Sequence, residues 1–285
     1  MRDRWALAGI VALHAVVSCL IWFSGSPLGT YGLECAIGTL SHDLTHGLNP
    51  AVPWLDYFDT FTGGYLTSAV VSAPFSALPW PTVYAIKAGT LLINAAVLVL
   101  GWLFLRRNVG RVAAFSGTIA LALGPPVLRH HGLIGPTYHY SELLFDLGLA
   151  VIWAEIALRG RRSWGWYFGF GLVGGYALTN CFASAAFVAI CGVLLLLVDR
   201  GIWTRPAAWF GWIGAAIGLY PLLAKLLWHR GYHQEVRGLR DFGFSHGGGT
   251  EDAGLVGKLW GLGFGDFGGA LGFGDMFAGG HAFGL

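Results

Sequence analysis

Only 11% of the 285 residues are charged and 55% are hydrophobic, so any ionisable side chain within an apolar run stands out. Five do: Lys87, Glu142, Asp146, Glu155 and Lys225. A charge in hydrocarbon is costly, and such residues mark either function or pairing. Glu142 and Asp146, four apart, share one face of a helix. Together with Lys87 and Lys225 they could carry an ion or proton path, or simply neutralise one another. Lys87 could equally snorkel to an interface. Glu155 precedes Arg159 by four residues, a spacing that predicts an ion pair and no further role. Arg129 suits phosphate binding or anchoring among lipid headgroups. His130, His131 and His139 raise the question of a metal. Two adjacent histidines cannot readily face one ion from a helix, so these read as loop or interface residues and no metal is expected.

The elements that must position these residues follow from hydropathy. Soluble chains run at about 25% charged residues. A mean hydropathy of +0.61 with so few charges makes a bilayer the natural solvent. The net charge of +2 is spread along the chain and excludes a nucleic-acid partner. None of the four cysteines forms a CxxC pair, and buried thiols are expected, with a bridge at Cys35 left open. A crossing helix needs about 20 apolar residues. Seven segments qualify approximately: 5–23, 83–105, 112–128, 140–158, 164–178, 182–198 and 206–228. The first reads as an uncleaved span, since no clear small-residue cleavage site follows it. Polar Thr179 and Asn180 mark an interface between the fifth and sixth. Residues 66–78 are too few to cross, are interrupted by Pro74, and read as an interfacial or re-entrant helix.

Basic residues concentrate on the cytoplasmic side of membrane proteins. With the N-terminus inside, the inner segments hold Arg2, Arg4, Arg106, Arg107, Arg111, Arg159, Arg161, Arg162, Arg200 and Arg205, ten of the seventeen Lys and Arg. The outer loop 24–82 holds none, but has Glu34, Asp43, Asp56 and Asp59. Counting 66–78 as a span would invert this pattern. The expectation is therefore an all-α polytopic protein with about seven spans, N-terminus in and C-terminus out. Arg230, Arg237 and Arg240 run against it. Glu34, Asp43, Lys87, Arg129, His139, Glu142 and Asp146 then share the outer level.

The 24–82 loop is long enough to demand a purpose. Residues 34–47 read as a short helix stopped by Gly47, with Ile37, Leu40 and Leu44 forming an apolar face suited to the membrane surface. Glu34 is followed by Asp43-Leu44-Thr45-His46-Gly47, Pro50, Pro53, Tyr57 and Gly63-Gly64, and the next apolar segment ends at Arg106-Arg107. His139 and Glu142 open a later segment. This order resembles the C-type (GT-C) membrane glycosyltransferases, in the bacterial branch of protein mannosyltransferases and the lipid A aminoarabinose transferase. It covers roughly residues 1–160. That branch often begins its loop with Asp-Glu, whereas Leu33 precedes Glu34 here, which puts the acidic pair in doubt.

The resemblance implies transfer of a sugar from a polyprenyl-phosphate donor to an acceptor at the outer face of a bacterial inner membrane. Glu34 and Asp43 would be the catalytic carboxylates. Lys87, Arg129, His139, Glu142 and Asp146 would bind substrate, with no cofactor beyond the donor itself. The bland alternatives are a loop acid at Glu34 and a solvated helix residue at Asp43. Trp54 and Trp80 could stack on a sugar or lipid. Two other classes compete: a transporter or flippase using Lys87, Glu142, Asp146 and Lys225, and a non-catalytic subunit. The core is placed at 1–228 and a glycine-rich external tail at 229–285. In the tail Leu262-Gly-Phe-Gly-Asp266 recurs as Leu271-Gly-Phe-Gly-Asp275, read as compositional bias in a flexible tail. Members of the resembled family run longer, so an N-terminal piece or a short homologue is expected.

Overall fold

The computed structural model describes residues 2–24, 32–47, 64–124, 138–181 and 183–228. These form nine α-helices and a 3₁₀ turn, with no strand among the described residues. The helices are α1 (Arg2–Ser24), α2 (Gly32–His46), α3 (Gly64–Ser76), α4 (Thr82–Asn108), α5 (Arg111–Leu123), α6 (Tyr138–Ala157), α7 (Trp164–Asn180), α8 (Ser184–Val198) and α9 (Pro206–Trp228). Asp3–Phe23, Thr82–Asn108 and Pro206–Ala224 are long and apolar enough to cross a bilayer, while Arg111–Leu123 and Ser184–Val198 are shorter apolar helices. The chain is thus a helical membrane protein by the length and composition of three helices.

Local sequence explains most helix ends. Gly47 adopts φ 64° and donates its N–H to the Asp43 carbonyl, closing α2 where expected. The expected 112–128 segment stops earlier, at Leu123, where Gly124 turns with φ 37°. Two prolines follow, and neither could donate a helical hydrogen bond. Pro74 does not break α3; it lies in the last turn, and the helix ends two residues later.

The helix ends meet in a layer of ion pairs. Asp3, at the start of α1, holds Arg106 and Arg111, each at 3.0 Å. Glu155, only 1% exposed, meets Arg107 at 2.6 Å, Arg159 at 3.3 Å and Arg161 at 3.2 Å. Asp199 accepts from Tyr167 Oη at 3.0 Å and pairs with Arg205 and with Arg162. The expected Glu155–Arg159 pair is present, as one part of a larger cluster. The layer joins the starts of α1, α5, α7 and α9 to the ends of α4, α6 and α8. These seven helices therefore alternate in direction about one shared level.

One expectation about an apolar face fails. The Ile37–Leu40–Leu44 face of α2 does not lie on a membrane surface. Ile37 and Leu40 are buried with Leu66 and Ala69 of α3, Ile86 of α4 and Leu222 of α9, and Leu44 packs beside them. Protein covers the face that the amphipathic pattern left open to lipid. Thr179 and Asn180 end α7 just before the tight turn into α8, where the sequence placed that turn, and both are buried. Thr179 Oγ1 donates to the Gly218 carbonyl at 2.9 Å, tying α7 to α9. Asn180 Oδ1 accepts from Thr67 Oγ1 at 2.8 Å, and Ser141 Oγ lies 3.1 Å from Asn180 Nδ2, so one amide links α3, α6 and α7.

Candidate functional site

The site begins with a buried ion pair. Glu34 sits in the first turn of α2, where the helix dipole favours a carboxylate. Lys87 sits in the second turn of α4. Lys87 Nζ lies 2.6 Å from Glu34 Oε1, with the two residues 4% and 2% exposed. Trp22, near the end of α1, presents its ring 5.4 Å from the same ammonium, a cation–π contact. Three helices thus converge on one charge pair. Burying such a pair is weak evidence of stabilisation, because desolvation offsets the Coulomb attraction. Its retention in an apolar bundle requires another reason.

The pair lies far from the arginine layer. Nineteen residues separate Lys87 from Arg106 within the unbroken α4, which is about 28 Å of helix rise. That matches the roughly 30 Å thickness of a bilayer's hydrocarbon core.

The remaining candidates are not all drawn into this pair. Asp43 is buried near the other end of α2, about 13 Å along the axis from Glu34, with its Oδ1 3.9 Å from His42 Nδ1. Glu142 and Asp146 lie on α6 beside Cys181 and Ser184. The neighbouring Leu143, Leu144 and Leu147 are the residues that pack on Ile93 and Val97 of α4. The sequence leaves Lys87 open between binding substrate, snorkelling to the interface and pairing with Glu142 or Asp146; the structure pairs it with Glu34. Arg129, His130, His131, Trp54, the 48–63 stretch and the 229–285 tail lie outside the described residues. His139 and Lys225 belong to α6 and α9, and only their helical backbone is described.

One buried group was missed in the sequence. His14, within α1, donates from Nδ1 to the Ala122 carbonyl at 2.8 Å and accepts at Nε2 from Asn94 Nδ2 at 3.1 Å. These contacts pin α1 to α4 and α5. The available signal was its position: a histidine inside an apolar 20-residue run is as unusual as the lysine at 87.

Compared with known proteins, the chain matches no family model, no curated protein and no solved structure.

Proposed function

We propose that this chain is a membrane glycosyltransferase, moving a sugar from a polyprenyl-phosphate donor to an acceptor at the outer face of a bacterial inner membrane. In this reading α1 and α4–α9 cross the bilayer seven times, with the arginine layer cytoplasmic and α2 and α3 packed at the outer level. The observation that carries it is the buried Glu34–Lys87 pair, set about one hydrocarbon thickness from the arginine layer. A lipid-linked donor keeps its tail in the bilayer and presents its phosphate at that level.

The chemistry asks for a base and a cation together. The acceptor's oxygen or nitrogen attacks the anomeric carbon as the bond from that carbon to the phosphate oxygen breaks. The bonding electrons leave with the phosphate, and the acceptor's proton goes to a carboxylate. In the resting pair Lys87 holds Glu34. A donor phosphate competes for the ammonium, which then stabilises the leaving group's charge and frees Glu34 to take the proton. Trp22 keeps Lys87 in place from the third side. This step assigns no role to Asp43, Glu142 or Asp146. The two carboxylates Glu142 and Asp146, one turn apart on α6, favour a second reading in which that cluster serves an ion or substrate path through the bundle.

The test is turnover of polyprenyl-phosphate sugars by the purified protein in lipid nanodiscs. Glu34→Gln is expected to lower turnover about a hundredfold or more, the scale of a lost general base. Lys87→Met should do likewise. The double variant, which removes both charges, controls for an uncompensated buried charge by remaining folded yet inactive. Parent-like turnover in Glu34→Gln would remove Glu34 from the reaction. A parent with no turnover across a panel of donors would sink the transferase reading and leave the transport one.

A further inference from the structure

A second constellation sits on the opposite side of α2 from its buried face. His42 and His46 are four residues apart, and both project from the helix to the outside. Their rings stack with centroids 4.0 Å apart and planes 22° from parallel. The stretch reads His42-Asp43-Leu44-Thr45-His46. Two histidines at this helical spacing, the first followed by an acid, form the arrangement with which a single helix holds a transition metal.

The second interactions fit that use. His46 Nδ1 lies 2.9 Å from the His42 carbonyl, which can only accept, so Nδ1 carries the proton and Nε2 the lone pair. Metal-binding histidines usually show this pattern, one nitrogen engaged by a carbonyl or carboxylate and the other free to ligate. Chelation requires the two rings to turn from this stacked arrangement until both Nε2 atoms converge on one ion. Among the described residues no third His, Cys, Asp or Glu completes a ligand group.

We propose that His42 and His46 form a binding site for a borderline divalent ion such as Zn²⁺, Cu²⁺ or Ni²⁺, the class that imidazole suits. Bound metal cross-links the last turn of α2, the one that Gly47 closes, and fastens the segment carrying Asp43. The site is independent of the sugar-transfer reading and of Glu34.

The experiment is calorimetric titration of the full chain in detergent with zinc chloride, paired with thermal unfolding with and without EDTA. The expected result is saturable binding and a rise in Tm that EDTA reverses. His42→Ala and His46→Ala should each weaken the half-saturating concentration at least about tenfold. Both side chains project outward, so the metal-free Tm should stay within about 1 °C of the parent. The same binding in the parent and in the His42→Ala/His46→Ala double variant would overturn the proposal, because the ion would then be held elsewhere. Absence of saturable binding to the parent would overturn it as well.

Discussion

Gly214→Ala is expected to destabilise the bundle by about 3 kcal/mol or more, although it adds a single methyl group. Helices α7 and α9 form the most extensive pairing in the structure. They meet through Gly171 and Gly175 on one side and Gly211, Gly214 and Gly218 on the other. A Cβ on Gly214 would strike the Phe168 carbonyl oxygen and lie 2.8 Å from the Leu172 amide nitrogen. One on Gly175 would lie 2.5 Å from the Ala215 carbonyl oxygen, and one on Gly171 would strike the Gly211 carbonyl. The obstructing atoms are backbone, so no rotamer change relieves them and the helices must separate. Separation also strains the Thr179–Gly218 hydrogen bond that crosses the seam. Small residues at such spacing let helix backbones approach in membranes, where packing and not water exclusion drives association. Gly192 of α8 is the control, because a Cβ there meets nothing within 4 Å. Thermal unfolding in detergent should show Gly214→Ala and Gly171→Ala far below the parent and Gly192→Ala beside it. Equal Tm values in all three would mean that the helices are farther apart than described.

Glu155→Ala should cost about 3–5 kcal/mol, the scale for removing one side of a buried charge cluster. Glu155 faces three arginines drawn from the end of α4 and from the end of α6 and its following turn. Arg159 is further held by the Arg107 carbonyl at 3.0 Å and by Asn108 Oδ1 at 3.1 Å. Without the carboxylate these groups keep the guanidiniums close and lose the charge that offsets their repulsion. Asp3 gives the contrast. Its side chain is 33% exposed, and its pairs with Arg106 and Arg111 are half in solvent. Exposed pairs contribute about 0–1 kcal/mol, so Asp3→Asn should shift Tm little. Unfolding of the two variants side by side checks the difference. A Glu155→Ala loss no larger than that of Asp3→Asn would contradict the account of the layer.

What could be read in the sequence was what lies close in the chain. Gly47 stopped its helix, and the four-residue spacing gave Glu155 and Arg159 as partners. The helical segments followed from apolar run length. Partners remote in the chain were not legible. Lys87 had Glu142, Asp146 and Glu34 all available at one level, and only packing of α2 against α4 selects the last. The same docking hides Ile37 and Leu40 from lipid. An amphipathic pattern reports that a face is apolar and says nothing of whether lipid or protein covers it. Asn180 was rightly placed at a tight turn, but its partners Thr67 and Ser141 lie far away in the chain and could not be read from it. The early end of α5 was legible in Gly124-Pro125-Pro126, a breaker signal outweighed by the apolar run around it.

Sided labelling of cysteine tests the central claim, that α2 with Glu34 and the arginine layer occupy opposite faces of a membrane. Cys35 is exposed and adjacent to Glu34, so the native chain carries its own reporter. Thr204, exposed in the 3₁₀ turn before α9, lies at the arginine level. A membrane-impermeant maleimide applied to intact cells is expected to label the native chain at Cys35. It should leave a Cys35→Ser/Thr204→Cys variant unlabelled until inverted vesicles expose the other face. Labelling of both positions from the same side would contradict the seven-crossing bundle and the outer placement of the Glu34–Lys87 site.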